Sequence, residues 1–137
     1  MKKIKVAFIC VHNSCRSQMA EALGKRYLSD ICECYSAGTE ILTEINQDAV
    51  RIMQDEYGID MEREQYPKLI KDIPKADIVV SMGCNVISSY LPGELQLNWG
   101  LDDPTGQGDD KFLKVAEMIE DKIMELRKLI VTQYRNE

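Results

Sequence analysis

The hydrophobic pattern is clearest at the start of the chain. Apolar residues are nearly continuous from Ile4 to Ile9, and the run stops at Cys10. A short apolar run of this kind is typical of a strand buried on both faces. From Arg16 onward, apolar residues recur at mostly three- and four-residue steps, at Met19, Ala20, Leu23, Tyr27 and Leu28. The pattern therefore predicts a strand, a short loop and a helix that begins near Arg16 or Ser17.

Strand-like and helical patterns alternate along the rest of the chain. Short runs predict further strands over residues 33–36, 77–82 and 95–99, with Tyr35 facing the core. A helix is predicted between Asn46, its N-cap, and Gly58, its end. A long last helix begins at Asp109 or Asp110, and we interpret its apolar stripe as core packing: Phe112, Val115, Ala116, Ile119, Ile123, Leu126 and Ile130. The alternation predicts an α/β fold with a parallel sheet.

The loop between Cys10 and Arg16 is the first candidate for chemistry. In an open parallel sheet, ligands bind at the carboxyl ends of the strands, where a helix N-terminus offers free N–H groups and a partial positive charge. Inward-facing loop amides together with a guanidinium form a nest for a tetrahedral oxyanion. The residues predicted to bind that anion are Val11, His12, Asn13, Ser14, Cys15 and Arg16.

The same surroundings favour an ionised cysteine. An arginine and a helix N-terminus both stabilise a thiolate, so we expect Cys10 to be one at neutral pH. Ser14 and Ser17 are expected to donate hydrogen bonds to its sulfur, and Asn13 is expected to adopt a left-handed turn. The structural alternative is that Cys10 is a small buried hydrophobe at a strand end and Arg16 a solvated side chain.

Composition limits the class of protein. A chain of 137 residues fits one domain, which we predict to span residues 1–137. Its 23 acidic and 17 basic residues give a net charge of −6, which argues against nucleic-acid binding. Five cysteines without the density of a secreted scaffold favour reduced or catalytic thiols. No apolar run approaches the ~20 residues of a membrane span and no signal-peptide core follows Lys3, so we expect a soluble, cytoplasmic protein without a membrane partner.

The sequence also resembles a known family. The segment CVHNSCRSQMAEAL (residues 10–23) is similar to the phosphate-binding loop of the low-molecular-weight protein tyrosine phosphatase superfamily, and residues 13–21 look more like its arsenate reductase branch. YSAG at 35–38, MGC at 82–84 and WGLDDP at 99–104 follow in the order and spacing of that branch. The resemblance implies a three-layer α/β fold, in which a four-stranded parallel sheet has helices on both faces.

The resemblance also implies a role for individual residues. Cys10 would be the nucleophile, Arg16 and the loop amides would stabilise the transition state, and Ser17 would tune the thiolate. Asp103, which directly precedes Pro104, matches the family's general acid, although two Asp before a proline are by themselves ordinary turn residues. Asp102 is the less favoured substitute.

A second cysteine and external partners follow from the resemblance alone. Cys84 would attack the arsenic-bearing Cys10, so that a Cys10–Cys84 disulfide forms as arsenite leaves, and an external thiol reductant, thioredoxin or a glutaredoxin-like protein, would reduce it. No tightly bound cofactor is expected. Asn13, Glu21 and Ser36 match positions that bind a structural potassium ion in some arsenate reductases of this branch.

The chain departs from the branch after Cys84. Members usually have a third redox cysteine near position 88 or 89, where this chain has Ser88 and Ser89. Three explanations remain open: an engineered Cys-to-Ser change, direct reduction of a Cys10–Cys84 disulfide, or loss of the reductase reaction with a phosphatase-like activity remaining.

Two alternative functions and the other thiols complete the predictions. A phosphatase acting on phosphotyrosine or small esters needs Cys10, Arg16 and Asp103, but residues 105–108 (TGQG) offer no aromatic ring to stack on phosphotyrosine. The chain could instead be a non-catalytic oxyanion-binding or redox-sensing module. We predict that Cys15 points into the core, that Cys32 and Cys34 share one strand face without binding metal, and that His12 lies at the surface.

Overall fold

The computed structural model describes residues 3–40, 43–83 and 95–133. Its strands are β1 (Ile4–Cys10), β2 (Cys32–Gly38), β3 (Ile78–Ser81) and β4 (Leu95–Asn98). Its helices are α1 (Arg16–Leu28), α2 (Gln47–Tyr57) and α3 (Asp109–Gln133), with short 3-10 helices at Met61–Arg63 and Ile70–Asp72. Among these residues, no helix is long and apolar enough to span a bilayer.

The four strands form one parallel sheet in the order β2-β1-β3-β4. Cys10 pairs with Gly38 on β2, while Ile9 pairs with Ser81 on β3, and Ser81 with Asn98 on β4. The carboxyl ends of all four strands therefore meet at one edge of the sheet. This confirms the predicted four-stranded parallel sheet and places the loop after Cys10 at its centre.

The two faces of β1 bury different sets of side chains. Val6 and Phe8 belong to the larger core cluster, which is completed by α1, α2 and α3. Ala7 and Ile9 face the second cluster, against which Ile70 and neighbouring residues pack. All seven residues of the predicted stripe on α3 are buried, so its interpretation as core packing is confirmed: Phe112, Val115, Ala116, Ile119, Ile123, Leu126 and Ile130.

Two local predictions have opposite outcomes. The side chain of Asn46 accepts the backbone N–H groups of Asp48 and Ala49, and Gly58 ends α2 at a φ of 65°, as the capping signals predicted. The prediction that Tyr35 faces the core was wrong. Tyr35 is half-buried and its hydroxyl donates to Glu33, because strand alternation turns Cys34 inward instead.

Candidate active site

The oxyanion loop, residues 10–16, is held in shape by its neighbours. Asn13 has a φ of 53°, which confirms the predicted left-handed turn. The backbone N–H of Asn46 donates to Ser14 O over 2.7 Å, and that of Glu40 donates to Val11 O over 2.9 Å. A Cβ at Gly38 would lie 2.4 Å from Val11 O, so only glycine lets the end of β2 approach the loop this closely. The loop is therefore fixed from the side of β2 as well as by its own turn.

A chain of hydrogen bonds runs through the loop to the sulfur of Cys10. The backbone N–H of Lys68 donates to Asn13 Oδ1 over 3.0 Å, which fixes the orientation of the Asn13 amide. Asn13 Nδ2 then donates to Ser17 Oγ over 2.8 Å, and Ser17 Oγ lies 2.9 Å from Cys10 Sγ. Since Ser17 accepts from Asn13, its own hydrogen is free to donate to Cys10. The contact suits a thiolate, which can only accept.

Ser14 does not share this role. It was also expected to donate to Cys10, but within the described part of the chain the hydrogen bond at Cys10 Sγ comes from Ser17. Instead, the backbone carbonyl of Ser14 receives the Asn46 N–H.

Two buried glutamines support the loop from behind. Gln18 Nε2 donates to Asn13 O, Asn13 Oδ1 and Tyr66 O at 2.9–3.1 Å. Gln65 Nε2 in turn donates to the backbone and side-chain oxygens of Gln18 at 3.0 and 2.8 Å. Since backbone carbonyls only accept, both amides have a defined orientation. Gln65 thus orients Gln18, and Gln18 in turn donates to both oxygens of Asn13.

Arg16 joins three elements at the sheet edge. Its Nη1 donates to Met82 O over 2.8 Å, just beyond β3, and to Leu101 O over 2.7 Å, beyond β4. A guanidinium has five N–H donors in one plane, so the remaining ones are available to an anion. Two hydrogen bonds thus fix the half-buried Arg16 beside the loop in which an oxyanion would bind.

The loop forms the floor of a cavity of about 970 Å³. Cys10 is only 5% exposed and is reached through this cavity. The described residues that line it include no phenylalanine, tyrosine or tryptophan: Cys10, Val11, His12, Ser14, Cys15, Arg16, Thr43, Glu44, Ile45, Asn46, Gln47, Asp103 and Thr105. This described part of the lining is thus suited to a small polar anion and offers no ring on which a tyrosine could stack.

Asp103 lies at the rim of this cavity. Thr105 donates to Asp103 Oδ1 from its backbone N–H over 3.0 Å and from its hydroxyl over 2.7 Å. Burial raises the pKa of Asp103, but the two Thr105 hydrogen bonds, Arg16 and His12 together lower it below its usual value. The free protein therefore holds Asp103 as a carboxylate at neutral pH. Asp102 points elsewhere, since it is exposed and paired with Lys111 over 3.0 Å.

The remaining cysteines and His12 have simpler surroundings. Burial, with Asp103 and Cys10 nearby, raises the pKa of Cys15 to about 12, so this thiol stays protonated. Cys32 and Cys34 are both buried on one face of β2, as the alternation predicted. Within the described residues no group of three or more His, Cys, Asp or Glu side chains forms a metal site. His12 is exposed at the mouth of the cavity, where its presence helps to lower the pKa of Asp103.

The residues expected to hold potassium do lie together behind the loop, but their oxygens do not fit the ion. Asn13 Oδ1 already accepts from Gln18 and from the Lys68 backbone. Glu21 Oε1 accepts the Ser36 hydroxyl over 2.5 Å and faces the Lys68 ammonium. Every buried side-chain oxygen and nitrogen of the described residues has at least one hydrogen-bond partner.

The structure thus brings Cys10, Arg16 and Asp103 around one cavity, with Ser17 buried against the sulfur of Cys10. Cys84, Ser88 and Ser89 lie outside the described residues, so their roles stay predictions. Sequence reasoning missed the supporting layer formed by Gln18, Gln65 and Lys68. A single glutamine on a helix and two residues in an irregular segment carry no periodic signal, and the partners of Gln18 lie up to 48 residues away in the chain.

Comparison with known proteins defines the class. The model of the low molecular weight phosphotyrosine protein phosphatase family matches residues 5–136, and the chain belongs to this family. An arsenate reductase of Bacillus cereus (strain ZK / E33L) is 38% identical over 125 residues, which cover 88% of this chain and 92% of the relative.

Solved structures similar to this chain also include arsenate reductases. An arsenate reductase in the phosphate binding state superposes with a TM-score of 0.80 and 32% identity, covering 90% of this chain and 95% of that one. A thioredoxin-dependent arsenate reductase of Corynebacterium glutamicum gives a TM-score of 0.74 and 34% identity, over 93% of this chain and 62% of that longer chain. The chain therefore belongs to a phosphatase family, and the relatives described above are arsenate reductases.

Proposed function

We propose that this protein reduces arsenate to arsenite, with a tetrahedral oxyanion bound in the loop of residues 10–16. The observation that supports this most directly is the hydrogen bond from Ser17 to Cys10 Sγ, at the floor of a cavity that also holds Arg16. It places a hydroxyl donor against the sulfur that would attack an anion bound in the loop. Relatives that share more than a third of their residues with this chain are arsenate reductases.

The first step is attack by Cys10 on arsenic. The sulfur forms a bond to As(V), and one arsenate oxygen leaves as water after taking up protons. Arg16 and the loop N–H groups carry the negative charge of the trigonal-bipyramidal transition state. Because Arg16 is fixed by Met82 O and Leu101 O, its guanidinium does not need to reorganise during the step.

Asp103 would deliver a proton to the leaving oxygen. In the free protein its pKa is lowered, which by itself disfavours a general acid. A bound oxyanion brings negative charge to the same cavity, and like charge raises the pKa of a carboxylate. Binding of the substrate would therefore supply the protonated form, with Thr105 holding the carboxyl group in place.

The second step is the redox step. The thiolate of Cys84 would attack the Cys10 sulfur, forming a disulfide while the sulfur–arsenic electron pair stays on arsenic as arsenite. Arsenic gains two electrons and the two cysteines lose them. A thioredoxin-type dithiol would then reduce the disulfide by thiolate exchange. The thioredoxin-dependent relative from Corynebacterium glutamicum supports this choice of reductant.

The phosphatase reaction remains as a second activity of the same loop. Cys10, Arg16 and Asp103 suffice for transfer of a phosphoryl group to a thiol and then to water, and the chain belongs to a phosphatase family. Among the residues that the structure describes, no large aromatic side chain lines the cavity, which favours small phosphate esters over phosphotyrosine.

Single-turnover arsenite release from the fully reduced protein tests the proposal. One equivalent of arsenite, with a Cys10–Cys84 disulfide found by mass spectrometry, is expected. Cys84→Ala should abolish arsenite release, whereas Cys34→Ala, which removes a buried thiol on β2 outside the cavity lining, should preserve it.

The opposite pattern identifies the alternatives. Steady hydrolysis of an aryl phosphate without arsenite, and with all five thiols free, would make the protein a phosphatase. Phosphate binding without either turnover would make it a binding module. If arsenite is released once but thioredoxin does not restore turnover, the reductase step stands and the reductant was wrongly chosen.

A further inference from the structure

A buried carboxylate lies directly behind the oxyanion loop. Glu21, on α1, has a side chain that is only 5% exposed, and each of its oxygens faces an ammonium group. Lys25 lies 2.6 Å from Oε2 and Lys68 lies 3.4 Å from Oε1, which also accepts the Ser36 hydroxyl. A buried charge must be paired, so these lysines neutralise Glu21 within the chain.

The two lysines are not equivalent. Lys25 is 36% exposed, one helical turn from Glu21, whereas the Lys68 side chain is 12% exposed and comes from a different segment. Lys68 Nζ also donates to Tyr66 O over 3.1 Å. Its backbone N–H fixes Asn13, and its carbonyl accepts the N–H of Gly38 over 2.9 Å. One residue thus connects the loop, the end of β2 and the buried carboxylate.

We propose that Lys68 is a positioning residue of the oxyanion loop, whose ammonium group supplies beside Glu21 the positive charge that a potassium ion at Asn13, Glu21 and Ser36 would bring. The inference rests on the proposed function only in that the loop binds a tetrahedral oxyanion. A potassium ion at Glu21 Oε1 would meet the ammonium as a like charge, and the oxygen of Asn13 is already occupied. Stability and anion binding should therefore not depend on potassium.

The test compares melting temperature and inorganic phosphate binding in potassium chloride and in choline chloride of equal ionic strength. The wild-type protein should give the same values in both salts. Lys68→Met keeps the backbone N–H and most of the side-chain volume. It should melt on the order of 5 °C lower in choline chloride. It should also bind phosphate on the order of threefold to tenfold more weakly, with potassium restoring part of both losses.

Two further variants serve as controls. Lys25→Met removes the other ammonium from the same carboxylate and should show a smaller effect without potassium rescue. Lys68→Arg keeps the charge and should stay close to wild type in both salts. Equal behaviour of Lys68→Met and Lys25→Met would overturn the proposal, as would saturable stabilisation of the wild-type protein by potassium over choline.

The test remains decisive if Lys68→Met does not fold. In that case the salt comparison on the wild-type protein and on Lys68→Arg decides, because selective stabilisation of either by potassium contradicts a built-in cation. Neither readout requires arsenate turnover. A protein that binds phosphate without potassium dependence but releases no arsenite would refute the proposed reductase function and leave the role of Lys68 standing.

Discussion

Replacing Ser17 with alanine tests whether the loop stabilises a thiolate at Cys10. Ser17 is fully buried, and its hydroxyl lies 2.9 Å from Cys10 Sγ. A hydrogen bond to a charged group contributes about 1.5–3 kcal/mol net. Since 1.4 kcal/mol is a factor of about ten, Ser17→Ala should slow attack by the Cys10 sulfur at neutral pH roughly tenfold to hundredfold.

The same substitution should also destabilise the fold. Asn13 is buried and its Nδ2 donates to Ser17 Oγ over 2.8 Å, so Ser17→Ala leaves that donor without an acceptor. An unsatisfied buried donor costs about 1–3 kcal/mol, which urea unfolding would detect as a lower midpoint.

The assay is the rate of Cys10 alkylation by iodoacetamide, measured by peptide mass spectrometry from mildly acidic to alkaline pH. We expect Ser17→Ala to be alkylated at least tenfold more slowly than the wild-type protein at and below neutral pH. At high pH the two proteins should reach the same rate. Ser14→Ala is the matched control, because it removes a hydroxyl from the same loop that does not contact the sulfur. If Ser17→Ala is alkylated as fast as wild type, or if Ser14→Ala slows alkylation equally, the hydroxyl does not stabilise the thiolate.

Further predictions concern the anion, the acid and the loop geometry. Arg16→Lys should weaken inorganic phosphate binding on the order of tenfold or more by calorimetry, because an ammonium cannot replace the planar fork. Asp103→Asn should lower kcat on the order of a hundredfold or more with arsenate. The pKa of Asp103 is lower in the folded than in the unfolded protein, so its carboxylate adds to the free energy of unfolding above the unfolded-state pKa. Acid titrations should show that contribution being lost as the pH falls below about 4. Gly38→Ala should weaken phosphate binding and lower the melting temperature, because the added methyl group would overlap Val11 O. Cys15, whose pKa is raised to about 12, should resist iodoacetamide in native protein and react only after unfolding.

Local signals in the sequence carry much of the fold. The apolar run before Cys10, the stripe on α3 and the caps at Asn46 and Gly58 each depend on residues within a few positions of one another, and each prediction is confirmed. The prediction that Tyr35 faces the core was wrong because Cys34 and Tyr35 lie on opposite faces of the strand and either side chain can be buried. Burial of the smaller one is decided by what packs on that face, which the strand pattern does not contain.

The residues that orient the site, in contrast, depend on contacts between distant parts of the chain. Arg16 is positioned by carbonyls 66 and 85 residues away, and Asn13 by a backbone N–H 55 residues away. Those partners are backbone atoms, which every residue has, so no residue type in the sequence marks them. Cys10 and Arg16 are visible from their spacing, whereas the groups that orient them become visible only in three dimensions.

The hydrogen bond between Ser17 and Cys10 bears on turnover in a chain that has serine at positions 88 and 89. Asn13 Nδ2 donates to Ser17 Oγ, which leaves the hydroxyl hydrogen of Ser17 for the sulfur of Cys10, and a thiolate released at this position would accept it. In disulfide exchange, the sulfur that leaves faster is the one better stabilised as a thiolate. A reductant that attacks Cys84 in a Cys10–Cys84 disulfide would therefore expel Cys10 into the nest formed by Ser17 and the loop amides. The same hydrogen bond that prepares Cys10 as a nucleophile would make it a good leaving group, which gives a two-cysteine cycle a physical basis where Ser88 and Ser89 offer no thiol.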